Sequence, residues 1–441
     1  MRPECRQWPL LVVLSLAACG GGDGAGSSPP DATTTRSHFV GGAVTGLAGT
    51  IVLQNVGVDD LRVSGSSTFT FGTALPTGTT YLATVRTQPT GQNCVVANGS
   101  GTVGTADVTD LVVSCDARPA AALSVFAGDP AGAVGTAAHF NQPAGIAADL
   151  AGTVYVADQL DNTILKITPA GVVTTFAGTA GTTGSANATG PAATFYYPTS
   201  VATDRAGNVF VTDTANQLVR KITPGGVVTT FAGTAGARGL NDGNGTAASF
   251  NLPYGAVTDR AGNVYVADSV YCTLRRITPA GDVTTPTGIG LGARQDCTGS
   301  GGRMNGPFGL ATDYEGKIYV AHTQDHLLVS VTPAYHVTDF AGTPGLPGSL
   351  NGTGPSASFN SPLGVATDGD GNVYVADTLN HTVRRITPAG VVSTLAGVAG
   401  TAGFAAGALP GLLSNPRGLA MSGTTLYITV DNGVARITNL P

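Results

Sequence analysis

One short motif recurs at a nearly constant interval through most of this chain. Its six copies read VYVAD, VFVTD, VYVAD, IYVAH, VYVAD and LYITV, and they begin at Val154, Val209, Val264, Ile318, Val373 and Leu426. Successive copies are 55, 55, 54, 55 and 53 residues apart. A constant period of this size is typical of repeat proteins, in which each repeat is one supersecondary unit that packs on its neighbours. The period therefore constrains the fold more than any single residue does.

The charge of the chain excludes one large class of partner. The formal net charge is -6, and only 11% of the 441 residues are charged. Proteins that bind nucleic acid need a basic surface to neutralise phosphates, and this chain has none that its composition would support. We therefore predict no nucleic-acid partner.

The N-terminus has the composition of a bacterial export signal. Arg2 and Arg6 form a short basic region, and the apolar stretch Leu10–Leu16 is too short to span a bilayer as a helix. The following Leu-Ala-Ala-Cys resembles the lipobox of bacterial lipoproteins, in which the cysteine is acylated and becomes the new N-terminus. The resemblance implies that residues 1–18 are a lipoprotein signal peptide and that Cys19 carries lipid. An ordinary signal peptide with a chance cysteine is the alternative.

Residues 19–38 are predicted to be a lipid-anchored flexible tether. The run GGGDGAGSSPP follows the cysteine, and chains rich in Gly and Ser are flexible. A cysteine that carries several acyl chains anchors stably where one chain would not. We expect the protein in the bacterial cell envelope, at the outer membrane or the cell surface.

The six cysteines divide between the export signal and the exported protein. Cys5 is expected to be removed with the signal peptide. Cys94, Cys115, Cys272 and Cys297 then remain in the exported protein, in an oxidising compartment where disulfides persist. Three pairings are possible, and we expect the sequence-local one, Cys94 with Cys115 and Cys272 with Cys297. A four-cysteine metal site is disfavoured because no close pair has the spacing of a zinc ligand set.

Residues 39–117 carry none of the repeat and are predicted to form a separate small β-sandwich. Short alternating runs such as TIVLQN and TYLATVRT lie between Gly, Asn and Pro turns. About seven short strands in fewer than eighty residues favour a sandwich. The unit resembles the immunoglobulin-like or transthyretin-like spacers near the anchors of bacterial surface lipoproteins, which implies a mechanical role.

Residues 121–441 contain the repeats, and each complete copy predicts four strands. In the fifth copy these are Pro362–Asp368, Asn372–Ala376, Thr382–Thr387 and Val391–Ala396, joined by turns such as DGDGN and TPAG. Four antiparallel strands in each repeat are typical of the blade of a β-propeller.

The two ends of the repeat region predict how the ring closes. The last copy stops at its third strand, Gly433–Thr438, whereas the region opens with an unpaired strand of the fourth type, Leu123–Gly128. The N-terminal strand is expected to complete the last blade and remove an exposed sheet edge. The predicted fold class is therefore all-β: a six-bladed β-propeller closed by an N-terminal strand and preceded by a small β-sandwich.

The repeat also resembles a known family. Between Pro362 and Ile386 the chain reads Pro-x-Gly-Val-Ala-x-Asp, then Gly-Asn-Val-Tyr-Val-Ala-Asp, then Asn-His-Thr-Val-Arg-Arg-Ile. This pattern resembles the NHL repeat, and it recurs in five copies with a degenerate sixth. The resemblance implies a six-bladed propeller. Propellers of this type include sensor and adhesion modules, RNA- or protein-binding modules, and a minority of lyases and lactonase relatives that hold a metal in the central channel.

Strand alternation places the candidate binding surface. If each first strand runs from the top of the propeller to the bottom, the loops after the second and fourth strands both lie on top, with the mouth of the channel. Polar side chains recur at this mouth, two residues before the first-strand proline: Asn141, Tyr196, Asn251, Asn305, Asn360 and Ser414. They are either ligand contacts or partners of turn backbone groups, as Asn often is.

The acids of the recurring motif have two interpretations. Asp158, Asp213, Asp268 and Asp377 are either a ring of acidic ligands or structural acids that pair with a base of the third strand in the same copy. The bases expected in such pairs are Lys166, Lys221, Arg276 and Arg385. The fourth copy favours ion pairs, because it replaces the acid with His322 and the base with Ser330, so that both partners are lost together.

The fourth copy is also where chemistry is most plausible. His322, Asp325 and His326 lie in one top-face loop, and imidazole with carboxylate is a ligand set for transition metals. Other catalytic motifs, such as the Gly-x-Ser-x-Gly elbow and the P-loop, are missing.

These observations favour an envelope lipoprotein whose propeller binds a protein or glycan through its top face, as a monomer and without a cofactor. The alternative is a channel-centred enzyme, a lyase or lactone hydrolase, with a divalent metal held in part by the histidines of the fourth copy. A purely structural envelope component is the third possibility.

Overall fold

The computed structural model describes residues 36–440 except 58, 90, 131–138, 288–303 and 305. The signal peptide, nearly all of the tether, Cys5, Cys19, Cys297 and Asn305 therefore lie outside the described residues. Within the described part the chain is all-β, as predicted, with five short 3-10 helices and no α-helix. In that same part, no helix has the length and apolarity needed to cross a membrane.

The N-terminal unit contains ten short strands. They are β1 Ser37–His38, β2 Val40–Thr45, β3 Thr50–Asn55, β4 Asp59–Ser64, β5 Thr68–Thr70, β6 Leu75–Pro76, β7 Thr80–Thr87, β8 Gln92–Ala97, β9 Ser100–Thr102 and β10 Val108–Ala117. Two sheets of four strands have the orders β5-β2-β10-β8 and β4-β3-β7-β9, and β1 pairs with β6. Alternate residues of both sheets, among them Ile51, Leu53, Leu111 and Val113, share one buried apolar cluster. The two sheets therefore enclose a single core.

A disulfide links Cys94 to Cys115 in this unit, as predicted. The two cysteines are directly opposite each other on β8 and β10, which pair antiparallel. Both are buried in the core of the unit. The bond therefore fastens two neighbouring strands from the inside.

The repeats form the remaining strands. They are β11 Ala122–Gly128, β12 Pro143–Ala148, β13 Val154–Asp158, β14 Thr163–Ile167, β15 Val173–Ala177, β16 Pro198–Thr203, β17 Val209–Asp213, β18 Leu218–Ile222, β19 Val228–Ala232, β20 Gly243–Asn244, β21 Pro253–Thr258, β22 Val264–Asp268, β23 Thr273–Ile277, β24 Asp282–Thr287, β25 Pro307–Thr312, β26 Ile318–His322, β27 Leu327–Val331, β28 Val337–Ala341, β29 Gly352–Thr353, β30 Pro362–Thr367, β31 Val373–Asp377, β32 Thr382–Ile386, β33 Val391–Ala396, β34 Gly407–Ala408, β35 Leu419–Ser422, β36 Thr425–Val430 and β37 Gly433–Thr438.

These strands form sheets of four or five antiparallel strands. We number them in chain order: sheet I is β12-β13-β14-β15, sheet II β16-β17-β18-β19, sheet III β21-β22-β23-β24-β20, sheet IV β25-β26-β27-β28, sheet V β30-β31-β32-β33-β29, and sheet VI β35-β36-β37-β11-β34. In sheet VI, β11 pairs with β37, so a strand from the start of the repeat region joins the last strands of the chain.

The inserts between sheets carry structure that the sequence did not predict. The two-residue strands β20, β29 and β34 each add a fifth strand to a sheet. Short 3-10 helices occur in three inserts, and two more follow second strands; the five are Gly190–Ala192, Thr214–Asn216, Gly245–Ala247, Gly354–Ser356 and Thr378–Asn380. The inserts therefore pack against the outer strands.

The first strands of neighbouring sheets contact one another in sequence, from β12 through β16, β21, β25 and β30 to β35, and β35 contacts β12. The Pro-x-Gly motif makes this close approach possible. A Cβ atom on Gly309 would lie 2.0 Å from the carbonyl oxygen of Leu363 in the next first strand. Four more glycines at the same motif position are also crowded by the neighbouring backbone: Gly145, Gly255, Gly364 and Gly418. The second sheet has Ser200 at this position instead. The motif glycine therefore allows these strands to surround a narrow axis.

Pairing within each sheet fixes the two ends of this axis. Pro143 at the start of β12 is opposite Asp158 at the end of β13, whereas Ala148 is opposite Val154. We call the end with Pro143 and Asp158 the top and the end with the turn between first and second strands the bottom. The loops after second strands therefore lie on top.

The N-terminal unit packs against the bottom. The guanidinium groups of Arg205 and Arg260, from the bottom turns of sheets II and III, donate to the carbonyl oxygen of Gly57. In sheet IV, the Tyr314 hydroxyl donates to the carboxylate of Asp60, and the Arg86 guanidinium lies over the Tyr314 ring. The bottom of the axis therefore faces a folded unit of the same chain.

Candidate functional site

The acids of the recurring motif are buried structural groups. In three sheets the carboxylate Oδ2 accepts a hydrogen bond from Nη1 of a fully buried arginine: Asp213 with Arg220 at 2.9 Å, Asp268 with Arg275 at 3.2 Å, and Asp377 with Arg384 at 2.9 Å. Burial raises the pKa of these carboxyls, and the backbone donor and the arginine lower it again. The expectation of ion pairs is confirmed in these three sheets.

The predicted partners, however, were wrong by one residue. Asp213 is opposite Leu218 and Val211 is opposite Arg220, so the side chains of Asp213 and Arg220 point to the same face of the sheet. Lys221 is opposite Phe210 on the other face, where its ammonium lies 5.8 Å from the Phe210 ring centroid.

The other predicted bases also lie on that second face. Arg276 and Arg385 donate to the side-chain oxygens of Asn263 and Asn372, and Lys166 lies over the Tyr155 ring. Successive side chains of a strand alternate between faces, and this alternation excludes the predicted bases from the ion pairs.

Each buried arginine also holds the insert that precedes its sheet. Nη1 of Arg220 donates to the carbonyl oxygen of Thr194 at 3.1 Å, and Nη2 donates to Oδ1 of Asn187 at 2.8 Å. The guanidinium carbon lies 5.4 Å from the Phe195 ring centroid. Arg275 and Arg384 repeat these contacts with Asp242 and Asn351. The acid, the arginine and the insert are thus one structural unit.

Sheet I departs from this arrangement. Leu165 occupies the position of the arginine, and among the described residues no base lies within ion-pairing distance of Asp158. Oδ1 of Asp158 accepts the backbone N–H of Asn141, while Oδ2 is buried without a hydrogen-bond partner. The pKa of Asp158 is raised to about 7, chiefly by burial and to a lesser extent by the nearby Asp161, while the Asn141 N–H lowers it.

At the positions predicted at the channel mouth, the repeated contact is made by the backbone N–H and not by the side chain. The backbone N–H groups of Asn141, Tyr196, Asn251 and Asn360 each donate to the motif carboxylate of the same sheet. The Asn141 amide donates to Asp161, and the Ser414 hydroxyl to Asp431. Tyr196 is 48% exposed on the top face. None of these side chains lines the cavity described below.

The fourth-copy histidines lie at repeated structural positions. His326 has a positive φ, and its Nδ1 accepts the backbone N–H of Ser361 in the next sheet at 3.0 Å. The same latch joins other neighbouring sheets: Asn162 with Tyr197, Gln217 with Leu252, and His381 with Asn415. His322 is buried at the end of β26, opposite Pro307, and Asp325 is also buried.

Two further predictions concern metals and the second disulfide. The described residues contain no group of three or more His, Cys, Asp or Glu side chains that could hold a metal ion. Cys272 occupies the latch position of sheet III and is disulfide-bonded. Its predicted partner, Cys297, lies outside the described residues.

A cavity of about 240 Å³ opens at the top of the axis. Among the described residues, its wall is formed in each sheet by the three consecutive residues that follow the proline of the Pro-x-Gly motif, together with Gln159 and Tyr197. The first of the three residues is the variable position of Pro-x-Gly, which differs in every sheet: Ala144, Thr199, Tyr254, Phe308, Leu363 and Arg417. The repeat therefore supplies the frame of the cavity, and this one position supplies most of its chemistry.

The sequence contained a signal for this cavity that a search for repeated residues misses. Arg417 is the only charged residue at the variable position. Gln159 follows the recurring motif at a position where four other copies have Ser or Thr: Thr214, Ser269, Thr323 and Thr378. Each of those hydroxyls donates to the proline carbonyl oxygen at the start of the next sheet. A comparison of the copies position by position would therefore have found both residues.

The comparisons with known proteins agree with the repeat. The family model described as NHL repeat matches residues 195–222 and 359–386, which span the first three strands of sheets II and V. The chain thus contains NHL repeats, and the resemblance seen in the sequence is confirmed.

Curated relatives share only part of their length with this chain. Protein SUPPRESSOR OF QUENCHING 1, chloroplastic, of Arabidopsis thaliana is 27% identical over 172 residues, which cover 36% of this chain and 16% of that protein. NHL repeat-containing protein 2 of Gallus gallus is 30% identical over 173 residues, which cover 36% and 24%. The chain therefore spans about a quarter or less of these relatives.

Solved structures of similar fold match more of the chain. A structural genomics protein of unknown function from Bacteroides thetaiotaomicron has a TM-score of 0.57 at 17% identity, and the match covers 88% of this chain and 90% of that one. An auxiliary nutrient binding protein from the same organism has a TM-score of 0.54 at 13% identity, with the same coverage. At these identities the likeness shows the fold alone. The matched span is longer than residues 121–441, so it extends into the N-terminal unit.

Proposed function

We propose that this NHL-repeat β-propeller protein is a binding module of the bacterial cell envelope, and that its ligand occupies the cavity at the top of the axis. One observation carries the proposal. The axis opens into a cavity of about 240 Å³ at the top, whereas the N-terminal unit of the same chain packs against the bottom. A concave site that is open at one end of a rigid frame is the usual form of a small-ligand site.

The architecture that we propose around this site has six blades and a stalk. Sheets I to VI are the blades, and their support is the series of contacts between first strands that runs from β12 to β35 and back to β12. The pairing of β11 with β37 supports closure by the N-terminal strand. The two sheets and single core of residues 39–117 support a small β-sandwich as the stalk.

The position of the stalk fits a lipid anchor at Cys19. The tether, residues 19–38, precedes in sequence the unit that packs on the bottom of the propeller, whereas the cavity opens at the top. A site that faces away from the membrane is accessible to material outside the cell or in the periplasm. This geometry supports an outer-membrane or surface location for the protein.

Of the two ligand classes that the sequence favours, protein and glycan, the cavity suits a glycan better. About 240 Å³ holds one ring-sized group rather than a protein surface. Tyr197, Tyr254 and Phe308 line the wall, and aromatic rings give large contact area to flat apolar faces such as those of a sugar ring. Two proteins of similar fold from Bacteroides species, both described as auxiliary nutrient binding proteins, are compatible with such a role.

The test is to fill the cavity and measure binding. Ala144→Trp introduces a large side chain at the wall of the cavity, and Val172→Trp, at a position 58% exposed, is the matched control. Purified full-length wild type and both variants would be applied to an array of neutral and acidic oligosaccharides, after circular dichroism has established equal folding. We expect wild type and Val172→Trp to bind the same glycans, and Ala144→Trp to lose them. Glycan binding that survives in Ala144→Trp, or a wild type that binds nothing on the array, would overturn the proposal.

A further inference from the structure

Among the described residues, the cavity wall has one charged group. Arg417 is the only basic residue that the described part of the chain contributes to the wall, and that part contributes no acidic residue. In the described part of the chain its guanidinium makes neither a hydrogen bond nor an ion pair, and its Nε is buried without a partner. By contrast, the fully buried Arg220 has four acceptors for Nη1 and Nη2, whereas Arg417 is only partly buried. Arg417 is therefore not one of the arginines that hold the inserts.

A second polar group in the wall also lacks a partner. Gln159 is 6% exposed, and no hydrogen bond joins its side-chain amide to the described residues. The residue is mostly buried, and its amide is accessible from the cavity, where a ligand can bind it. In four other copies, Ser or Thr at this position donates a hydrogen bond to the next sheet. Gln159 makes no such bond, and its side chain lines the cavity instead.

The two polar groups come from neighbouring sheets. Arg417 lies two residues before the first strand of sheet VI, and Gln159 follows the second strand of sheet I. Sheets VI and I contact each other through β35 and β12. An anion between the two would receive charge-assisted hydrogen bonds from the guanidinium and a further hydrogen bond from the amide.

The wall across the axis is apolar. The rings of Tyr254 and Phe308 are adjacent, with their centroids 4.3 Å apart, and Leu363 follows in the next sheet. Burial raises the pKa of the Tyr254 hydroxyl, and the neighbouring Tyr197 raises it further. The hydroxyl therefore stays neutral and does not repel an anion in the cavity. The cavity thus has a cationic side and an aromatic side.

We infer that the cavity binds a ring compound that carries a carboxylate, with the carboxylate on Arg417 and Gln159 and the ring against Tyr254 and Phe308. The inference rests on the proposed binding function and deepens it. A planar carboxylate matches the two parallel N–H groups of a guanidinium. Two sources supply this chemistry, a uronic acid residue of an acidic glycan and a free aromatic carboxylic acid.

The test compares each carboxylate with its neutral counterpart. Isothermal titration calorimetry with the purified full chain would use galacturonate against galactose, and benzoate against benzamide. We expect at least one carboxylate to bind about tenfold or more tightly than its counterpart, since one charged hydrogen bond in a buried site suffices for that factor. The sugar pair or the aromatic pair that shows the preference identifies the source.

Variants distinguish the effect of Arg417 on carboxylate binding from effects on the fold. Arg417→Gln is expected to bring the ratio of carboxylate affinity to neutral-compound affinity close to one, while the neutral compound binds as before. Gln159→Ala is expected to reduce this ratio in part. Arg436→Gln, in the third strand of sheet VI and outside the cavity, is the charge-matched control and should retain the preference.

Three results would overturn the inference: equal binding of charged and neutral compounds, a preference that persists in Arg417→Gln, or no binding of either carboxylate. The first two are distinguishable from failure of the proposed function. Suppose that the wild type binds only neutral glycans of the array and that Ala144→Trp does not bind them. The proposed binding function is then supported, and the carboxylate inference is wrong.

Discussion

Replacing Asp158 with Asn is predicted to stabilise the protein at pH 8, although the same change at the equivalent Asp377 is predicted to destabilise it. Both carboxylates end a second strand and accept one backbone N–H at Oδ1. At Asp377 the other oxygen accepts hydrogen bonds from Arg384 and Asn380. At Asp158 the other oxygen is buried and has no partner. The two positions therefore differ mainly in whether the charge is compensated.

The magnitude follows from linkage between protonation and folding. Burial raises the pKa of the Asp158 carboxyl from 3.8 to about 7. Between these values the folded protein holds a proton that the unfolded chain has released, so the free energy of unfolding falls as the pH rises through this window. The loss reaches about 4 kcal/mol above pH 7, since one pKa unit corresponds to about 1.4 kcal/mol. Asn resembles the protonated carboxyl and never releases a proton, so Asp158→Asn avoids this loss.

Asp377→Asn is the matched control with the opposite sign. It removes the negative charge beside Arg384, whose guanidinium is fully buried. A buried charge that loses its partner costs about 3 to 5 kcal/mol. The same cost is expected at pH 5 and at pH 8.

The assay is urea unfolding of the wild type and both variants at pH 4, pH 5 and pH 8. We expect Asp158→Asn to be close to wild type near pH 4 and increasingly more stable toward pH 8, while Asp377→Asn is less stable throughout. If Asp158→Asn destabilises the protein at pH 8, or if its effect does not change with pH, Asp158 is ionised in the folded state and the reasoning is refuted.

Three further predictions test the frame and the anchor. Gly309→Ala should destabilise the propeller by about 1 to 3 kcal/mol, because its Cβ would lie 2.0 Å from a carbonyl oxygen, whereas Gly104→Ala meets no atom within 4 Å and should leave the melting temperature unchanged. Replacing Cys94 with Ser removes the bond to Cys115 and should lower the unfolding free energy of the N-terminal unit by about 2 to 4 kcal/mol; equal proteolysis of reduced and oxidised protein would contradict this. Cells fed a clickable fatty acid should label the wild type and not Cys19→Ser, and a label that persists would exclude lipid on that residue.

The strands were predictable because their signals are local. Four strands were expected in the fifth copy, and their bounds agree with the structure to within about one residue: Pro362–Thr367, Val373–Asp377, Thr382–Ile386 and Val391–Ala396. Alternating burial and Gly turns act within a few residues, and each copy repeats them. The fifth strands of sheets III, V and VI were missed because two-residue pairs such as Gly243–Asn244 carry no such pattern.

The arginine partners were also within reach of the sequence. A four-residue connection, 214–217, separates Asp213 from Leu218 and makes them opposite each other, which places Arg220 and not Lys221 on the face of the acid. The error came from pairing residues by charge without first fixing the register. In a sheet, a shift of one residue moves a side chain to the other face.

The candidate site was less predictable because its residues are distant in sequence. Arg417 and Gln159 are 258 positions apart, and only closure of the ring through β35 and β12 brings their sheets together. No local pattern carries that information. The fourth-copy histidines attracted interest because they break the motif, yet His326 performs the same latch as Asn162, Gln217 and His381. A departure in residue type is therefore a weaker sign of function than a departure in contacts.

This criterion directs attention to three residues of sheets VI and I. Asp158 has lost the arginine that its equivalents keep, Gln159 has lost the hydroxyl contact to the next sheet, and Arg417 introduces a charge where the other sheets have neutral residues. Gln159 and Arg417 line the cavity, and Asp158 directly precedes Gln159. The Asp–Arg pair is present in three sheets and the hydroxyl contact in four, so a sheet can lack one of these contacts and remain part of the frame. The recurring motif therefore explains the fold through its regular copies, and the departures in contacts at Gln159 and Arg417 bring two polar groups to one cavity.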